Sequence, residues 1–133
     1  MTFEFRFFLV KITPNLLLVV LVASGFMPSH VYATTEADRN LLMAARSGDI
    51  PKVKESLNAG ANVNVRDDKG QTPLILASTQ GHTSLAALLL EKGADPNEKT
   101  LNGNTALMLA AVNNYTDLVT LLLQRKADVN SLR

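Results

Sequence analysis

From Asn40 onward, short apolar bursts alternate with polar stretches punctuated by glycine. The bursts are LLMAA (41–45), LILA (74–77), LAALLL (85–90), ALMLAAV (106–112) and LVTLLL (118–123). Each falls well short of the roughly 20 apolar residues that a membrane helix needs. They read as core of a stacked structure. In the middle of the chain the spacing predicts two short helices. Thr72 is a natural N-cap, and Pro73 suits the first helical position, where its missing N–H is no loss. Leu74, Leu76 and Ala77 then open an apolar face, and Gly81 can end the helix in the left-handed region. A second helix runs from about Thr83 to Lys92, carrying Leu85, Leu88, Leu89 and Leu90, and Gly93 ends it the same way. ADPNEKTLNG follows as a polar turn with Gly103 at the bend.

The same order returns at a fixed step. GANVN (60–64), GADPN (93–97) and KADVN (126–130) lie 33 residues apart, as do GQTPLILAS from Gly70 and GNTALMLAA from Gly103. Ala44, Ala77 and Ala110 keep that phase, as do Leu57, Leu90 and Leu123, and Gly48, Gly81 and Asn114. Several independent features in one register mark a repeat architecture, in which each unit buries its apolar face on its neighbours. Asn64, Asp95, Asn97, Asp128 and Asn130 are expected to be turn formers that bond to their own backbone. A calcium loop would need carboxylates at alternate positions over one loop, so no metal is expected.

GQTPLILASTQGHTSLAALLLEKGADPN and GNTALMLAAVNNYTDLVTLLLQRKADVN resemble the ankyrin repeat, with a degenerate first unit, NLLMAARSGDIPKVKESLNAGANVN, before them. The resemblance covers about residues 40–130. It implies an all-α solenoid of helix-turn-helix units joined by β-hairpin-like turns, with repeats at about 36–68, 69–101 and 102–133. Three departures stand out. Ile75 and Met108 occupy places where the family usually has His. Lys126 replaces a helix-ending Gly, at a cost of about 1 kcal/mol if its backbone turns left-handed. The first unit begins directly on its helix, with TTEAD offering a Thr cap and acids in the first turn.

Residues 1–33 differ from the rest. Arg6 and Lys11 precede the apolar stretch LLLVVLVASGFM (16–27), and PSHVYA leads to Ala33. This is the order of a secretory signal peptide. Val31 and Ala33 suit signal peptidase, so cleavage is expected after Ala33, leaving 34–133 as the exported domain. The destination is a bacterial periplasm or the exterior. No membrane association is expected once the leader is gone.

Charge narrows the chemistry further. Of 13 Lys and Arg only Arg6 and Lys11 precede Thr34, and of 12 Asp and Glu only Glu4, so the domain is balanced. With no basic cluster and one aromatic, Tyr115, nucleic acid is an unsuitable partner. Zero Cys removes disulfides and thiolate chemistry. His82 is the domain's one histidine, read as a packing or hydrogen-bonding residue at the start of a helix. Ser84 lies too close to it in sequence for a catalytic arrangement, and there is no nucleophile elbow or phosphate-binding glycine loop. Asp67 and Asp68 are adjacent carboxylates on a turn, which are ordinarily solvated. No enzyme and no cofactor are expected.

What remains is surface. The family resemblance implies a concave face of turn tips and first helices that grips another protein. The corresponding places here are Arg46 and Ser47 in the first unit. In the second they are Asp68, Lys69, Gln71, Thr79 and Gln80. In the third they are Leu101, Asn102, Asn104, Val112 and Asn113. Leu101 and Val112 are apolar where water is expected, and Tyr115 is of a type enriched at binding hot spots. A narrower expectation is an inhibitor or immunity partner of one exported enzyme. No polar closing repeat follows the third unit, so its end face is expected to be covered by a partner, by a second copy of the chain through self-association, or by further residues.

Overall fold

A computed structural model describes residues 35–132 of the chain, with side chains through 130. The expected leader and its cleavage point lie outside the described residues. The repeat unit begins at Glu36. Six helices follow: α1 (Glu36–Ser47), α2 (Ile50–Asn58), α3 (Pro73–Gln80), α4 (Thr83–Glu91), α5 (Ala106–Val112) and α6 (Thr116–Gln124), then a 3-10 turn, Val129–Leu132. Among the described residues there is no strand. The fold is the all-α solenoid that the resemblance implies.

Three helix starts, those of α2, α3 and α5, are local chemistry. Thr72 and Thr105 are extended, and each hydroxyl accepts the backbone N–H three residues on, from Ile75 and Met108, at 3.2 Å. Asp49 does the same for Lys52 at the head of α2, at 3.1 Å. The ends are left-handed. Gly81 closes α3 at φ 76°, and where glycine is missing, Asn114 and Lys126 take φ 60° and 70° themselves. Lys126 therefore bears the strain that its sequence position implies.

Helices α1, α3 and α5 pack side by side as an inner row, and α4 and α6 pack behind them. Small side chains let the inner helices approach: Ala44, Ala77 and Ala110 are at most 2% exposed. Leucines fill the space between rows, with Leu41, Leu74, Leu85, Leu89, Leu107, Leu118 and Leu122 fully buried. Of the two places where the family has His, Ile75 is buried in this core. Met108 is half-buried, and its sulfur accepts the Thr105 N–H at 3.3 Å. A thioether is a weak acceptor, so this only partly replaces a histidine bond.

The turns between units are hairpin-like. Asp67 N–H donates to Gln71 O at 3.0 Å and Thr100 N–H to Asn104 O at 2.9 Å. One bond, Leu101 N–H to Lys69 O at 3.1 Å, ties the two hairpin tips together. The expected repeat boundaries, 68/69 and 101/102, cut each hairpin at its tip.

One expectation is corrected here. Asp95 and Asp128 do bond locally, their Oδ1 accepting the N–H of Asn97 and Asn130 at 2.9 and 2.8 Å. Asn64 and Asn97 do not. Asn64 Oδ1 accepts Asp95 N–H at 2.8 Å and its Nδ2 reaches Gly93 O, while Asn97 makes the same pair with Asp128 N–H and Lys126 O. These amides bridge one unit to the next. An amide has both a donor and an acceptor, so one side chain can hold two groups of the neighbouring loop. The first loop's Asn62 N–H is taken instead by Asp38 Oδ1 at 2.8 Å, from α1. Asp38 is 4% exposed, so this acid of the first turn is a tertiary residue as well as a helix-start charge.

Candidate protein-binding face

The hairpins and the inner helices together form one side of the stack. Between the second and third units they enclose an open groove of about 310 Å³. Its walls are Asp68, Lys69 and Gln71 from one hairpin, Thr100, Leu101, Asn102 and Asn104 from the next, and Thr79 and Leu109 from α3 and α5. Seven of the predicted contact residues are thereby brought together. Thr100 and Leu109 were not predicted.

The groove is shaped by bonds from side-chain oxygens to the main chain of its own hairpins. Asp67 Oδ1 accepts both Lys69 N–H (2.9 Å) and Gln71 N–H (2.8 Å), and Thr100 Oγ1 accepts Asn104 N–H at 3.1 Å. The Arg66 guanidinium donates to Glu98 at 2.6 Å and to Lys99 O, clamping the base of one hairpin to the next. Leu101 lies across Gly70, where a Cβ would come within 2.9 Å of the Leu101 amide nitrogen. Yet Leu101 remains 74% exposed. A leucine held by a rigid tip and open to water costs little further ordering when something covers it.

The other predicted residues lie elsewhere. Arg46 and Ser47 are exposed at the end of α1, Arg46 standing 3.6 Å from Asp67 and Ser47 donating to Ala44 O. Gln80 is exposed at the end of α3. Val112, 78% exposed, holds in the third unit the place that Thr79 holds in the second. Asn113 is exposed and caps its own helix by donating to Leu109 O at 2.9 Å. Tyr115 is half-buried with its ring over Gly81, where a Cβ would come within 2.8 Å. His82 sits over Gly48 in the same way, its Nε2 3.4 Å from Arg46 O. Both rings pack one unit onto the unit before it.

The 33-residue step could not supply Thr100 and Leu109. It pairs equivalent residues, Thr100 with Asp67 and Leu109 with Leu76. It does not say which residue of one unit faces which residue of the next. That offset is a property of the stack.

A stack of helix pairs joined by hairpin tips, with helix-ending left-handed turns every 33 residues, defines a helical repeat solenoid whose surface residues, not its scaffold, specify what it does. The family model for ankyrin repeats (3 copies) matches residues 41–133, and the chain belongs to that family. It is also 40% identical over 45 residues to acyl-CoA-binding domain-containing protein 2 of Arabidopsis thaliana. That stretch is 34% of this chain and 13% of the Arabidopsis protein. Ankyrin repeats generally mediate protein–protein binding and are typically non-catalytic.

Proposed function

We propose that this chain is an exported, non-catalytic adaptor that binds another protein through the hairpin groove centred on Leu101. The observation that carries the reading is a 74% exposed leucine fixed over Gly70 by a main-chain bond, among Thr79, Asn102 and Asn104. An apolar side chain held in place within a polar rim matches the core-and-rim anatomy of a protein interface. Export rests on the order of charge, apolar stretch and small residues over 1–33. The test is affinity capture with tagged 34–133 from the compartment that the leader implies, beside Leu101→Asp and, as a control on α2, Lys54→Glu. A protein retained by wild type and Lys54→Glu but lost by Leu101→Asp is the expected result. Equal retention by all three would remove the groove from the reading.

A second reading, self-association through the third unit, is favoured by an asymmetry of the stack. On the first unit, the exposed Lys52 and Glu55 stand where the second unit has Leu85 and Leu88. That face is polar, as a solvent-facing cap should be. On the third unit Leu123 is 44% exposed and Val129 56%. A second copy of the chain covering that face would bury both. Light scattering after size exclusion is expected to give a dimer that Leu123→Asp dissociates, and a wild-type monomer would end this reading.

A further inference from the structure

Asn102–Gly103 is the one Asn-Gly step in the chain. It lies at the tip of the 100–104 hairpin, and both residues are exposed. Gly103 has φ 82°, and a Cβ there would meet nothing within 4 Å. The equivalent step of the second unit is Lys69–Gly70, and Gly70 is buried under Leu101. One hairpin tip thus presents an open asparaginyl-glycyl bond, and its neighbour presents none.

We propose that Asn102 is a site of spontaneous, enzyme-free modification that puts a carboxylate into the groove. The Gly103 amide nitrogen attacks Asn102 Cγ. A bond forms between those atoms, the Cγ–Nδ2 bond breaks, and Nδ2 leaves as ammonia with the proton that the amide nitrogen gives up. Water then opens the cyclic imide at either carbonyl, leaving an aspartyl or an isoaspartyl residue at 102. No oxidant or cofactor enters. Glycine matters because a side chain on the attacking residue would crowd the five-membered ring, and here neither a Cβ nor a neighbour does so.

The fold sets the gate. Gly103 N–H donates to Thr100 O at 2.9 Å, and the Leu101 N–H bond to Lys69 O holds the same tip. The Gly103 bond must release before the nitrogen can reach Cγ, so the rate follows local opening of the hairpin. It rises with pH, because the attacking nitrogen must lose its proton. Asn64 and Asn97 are protected by contrast, since their side-chain amides hold the next unit's loop.

The product changes the groove. The third unit's wall, formed by Thr100, Leu101, Asn102, Asn104 and Leu109, is uncharged. A carboxylate at 102 faces the hairpin that carries Lys69, and an added negative charge there alters which partners fit. That consequence rests on the groove being a binding face; the chemistry does not.

The experiment incubates the full chain, Asn102→Ser and Gly103→Ala at neutral and mildly alkaline pH. Site-resolved mass spectrometry and isoaspartyl labelling follow each asparagine. Asn102 should convert at least about tenfold faster than Asn64 or Asn97, since glycine follows it, whereas valine and glutamate follow the other two and would crowd the ring. The rate should increase with pH, and labelling should vanish in Asn102→Ser. Gly103→Ala should slow conversion with helicity retained. If Asn102 persists as long as Asn64 and Asn97, the proposal is overturned, whatever the mutants do. No partner enters this readout, so a failed capture experiment and a failed modification site are told apart.

Discussion

Individual residues here are decided by whether a polar atom finds a partner. Asp38, Asn64 and Asn97 are polar and hold neighbouring loops. Ser78 is the opposite case: it is fully buried in α3, and its hydroxyl has no hydrogen-bond partner. Its equivalents in the first and third units are Ala45 and Ala111. An unsatisfied buried hydroxyl costs about 1–3 kcal/mol, so Ser78→Ala should stabilise the protein by about 1 kcal/mol. The midpoint of urea unfolding should rise at an unchanged slope. A fall would mean that the hydroxyl has a role which the packing does not reveal.

At the level of elements, the helices come from near-sequence chemistry and the loops from their neighbours. Thr72–Pro73, Asp49–Pro51 and the left-handed Gly81 would favour their helix boundaries in any context. The loops at 93–97 and 126–130 are held across units by Asn64 and Asn97, and the loop at 60–64 is held by Asp38 from the helix α1 of its own unit. Asn64→Ala should therefore cost about 1 kcal/mol and speed hydrogen exchange at the Asp95 amide. Asn64→Asp, which keeps the acceptor, should hold that amide. Exchange at Asp95 that ignores Asn64→Ala would show the bridge to be without energetic weight.

In the molecule as a whole, stability comes from units that cannot stand alone. The second unit contacts both neighbours through α3, and its Leu89 is fully buried. Leu89→Ala should cost about 2–5 kcal/mol, the range for a large-to-small change in a core. Loss in the middle should be felt throughout, because each unit relies on the next. Tyr115 is the described residues' one aromatic of the Phe, Tyr and Trp type and packs on Gly81, so in residues 34–133 its fluorescence reports the third unit and its junction with the second. Unfolding followed by Tyr115 and by helical circular dichroism should coincide in one transition. Separate midpoints would show that the third unit unfolds on its own.

Sequence alone determined the period, the helix pairs and the positions of the left-handed turns, because each depends on residues within one or two turns of the chain. It placed Thr72, Pro73 and Gly81 correctly, and it marked Lys126 as strained. It also identified most of the groove, since family positions map residue by residue at a constant step. Tertiary structure decided what depends on the offset between units. Asn64 faces the next loop and not its own, Asp38 completes that series from α1, and Leu109 joins the groove while Val112 does not. Tyr115 is half-buried over Gly81 for the same reason. A period says that units are alike; only their packing says which surfaces of like units meet.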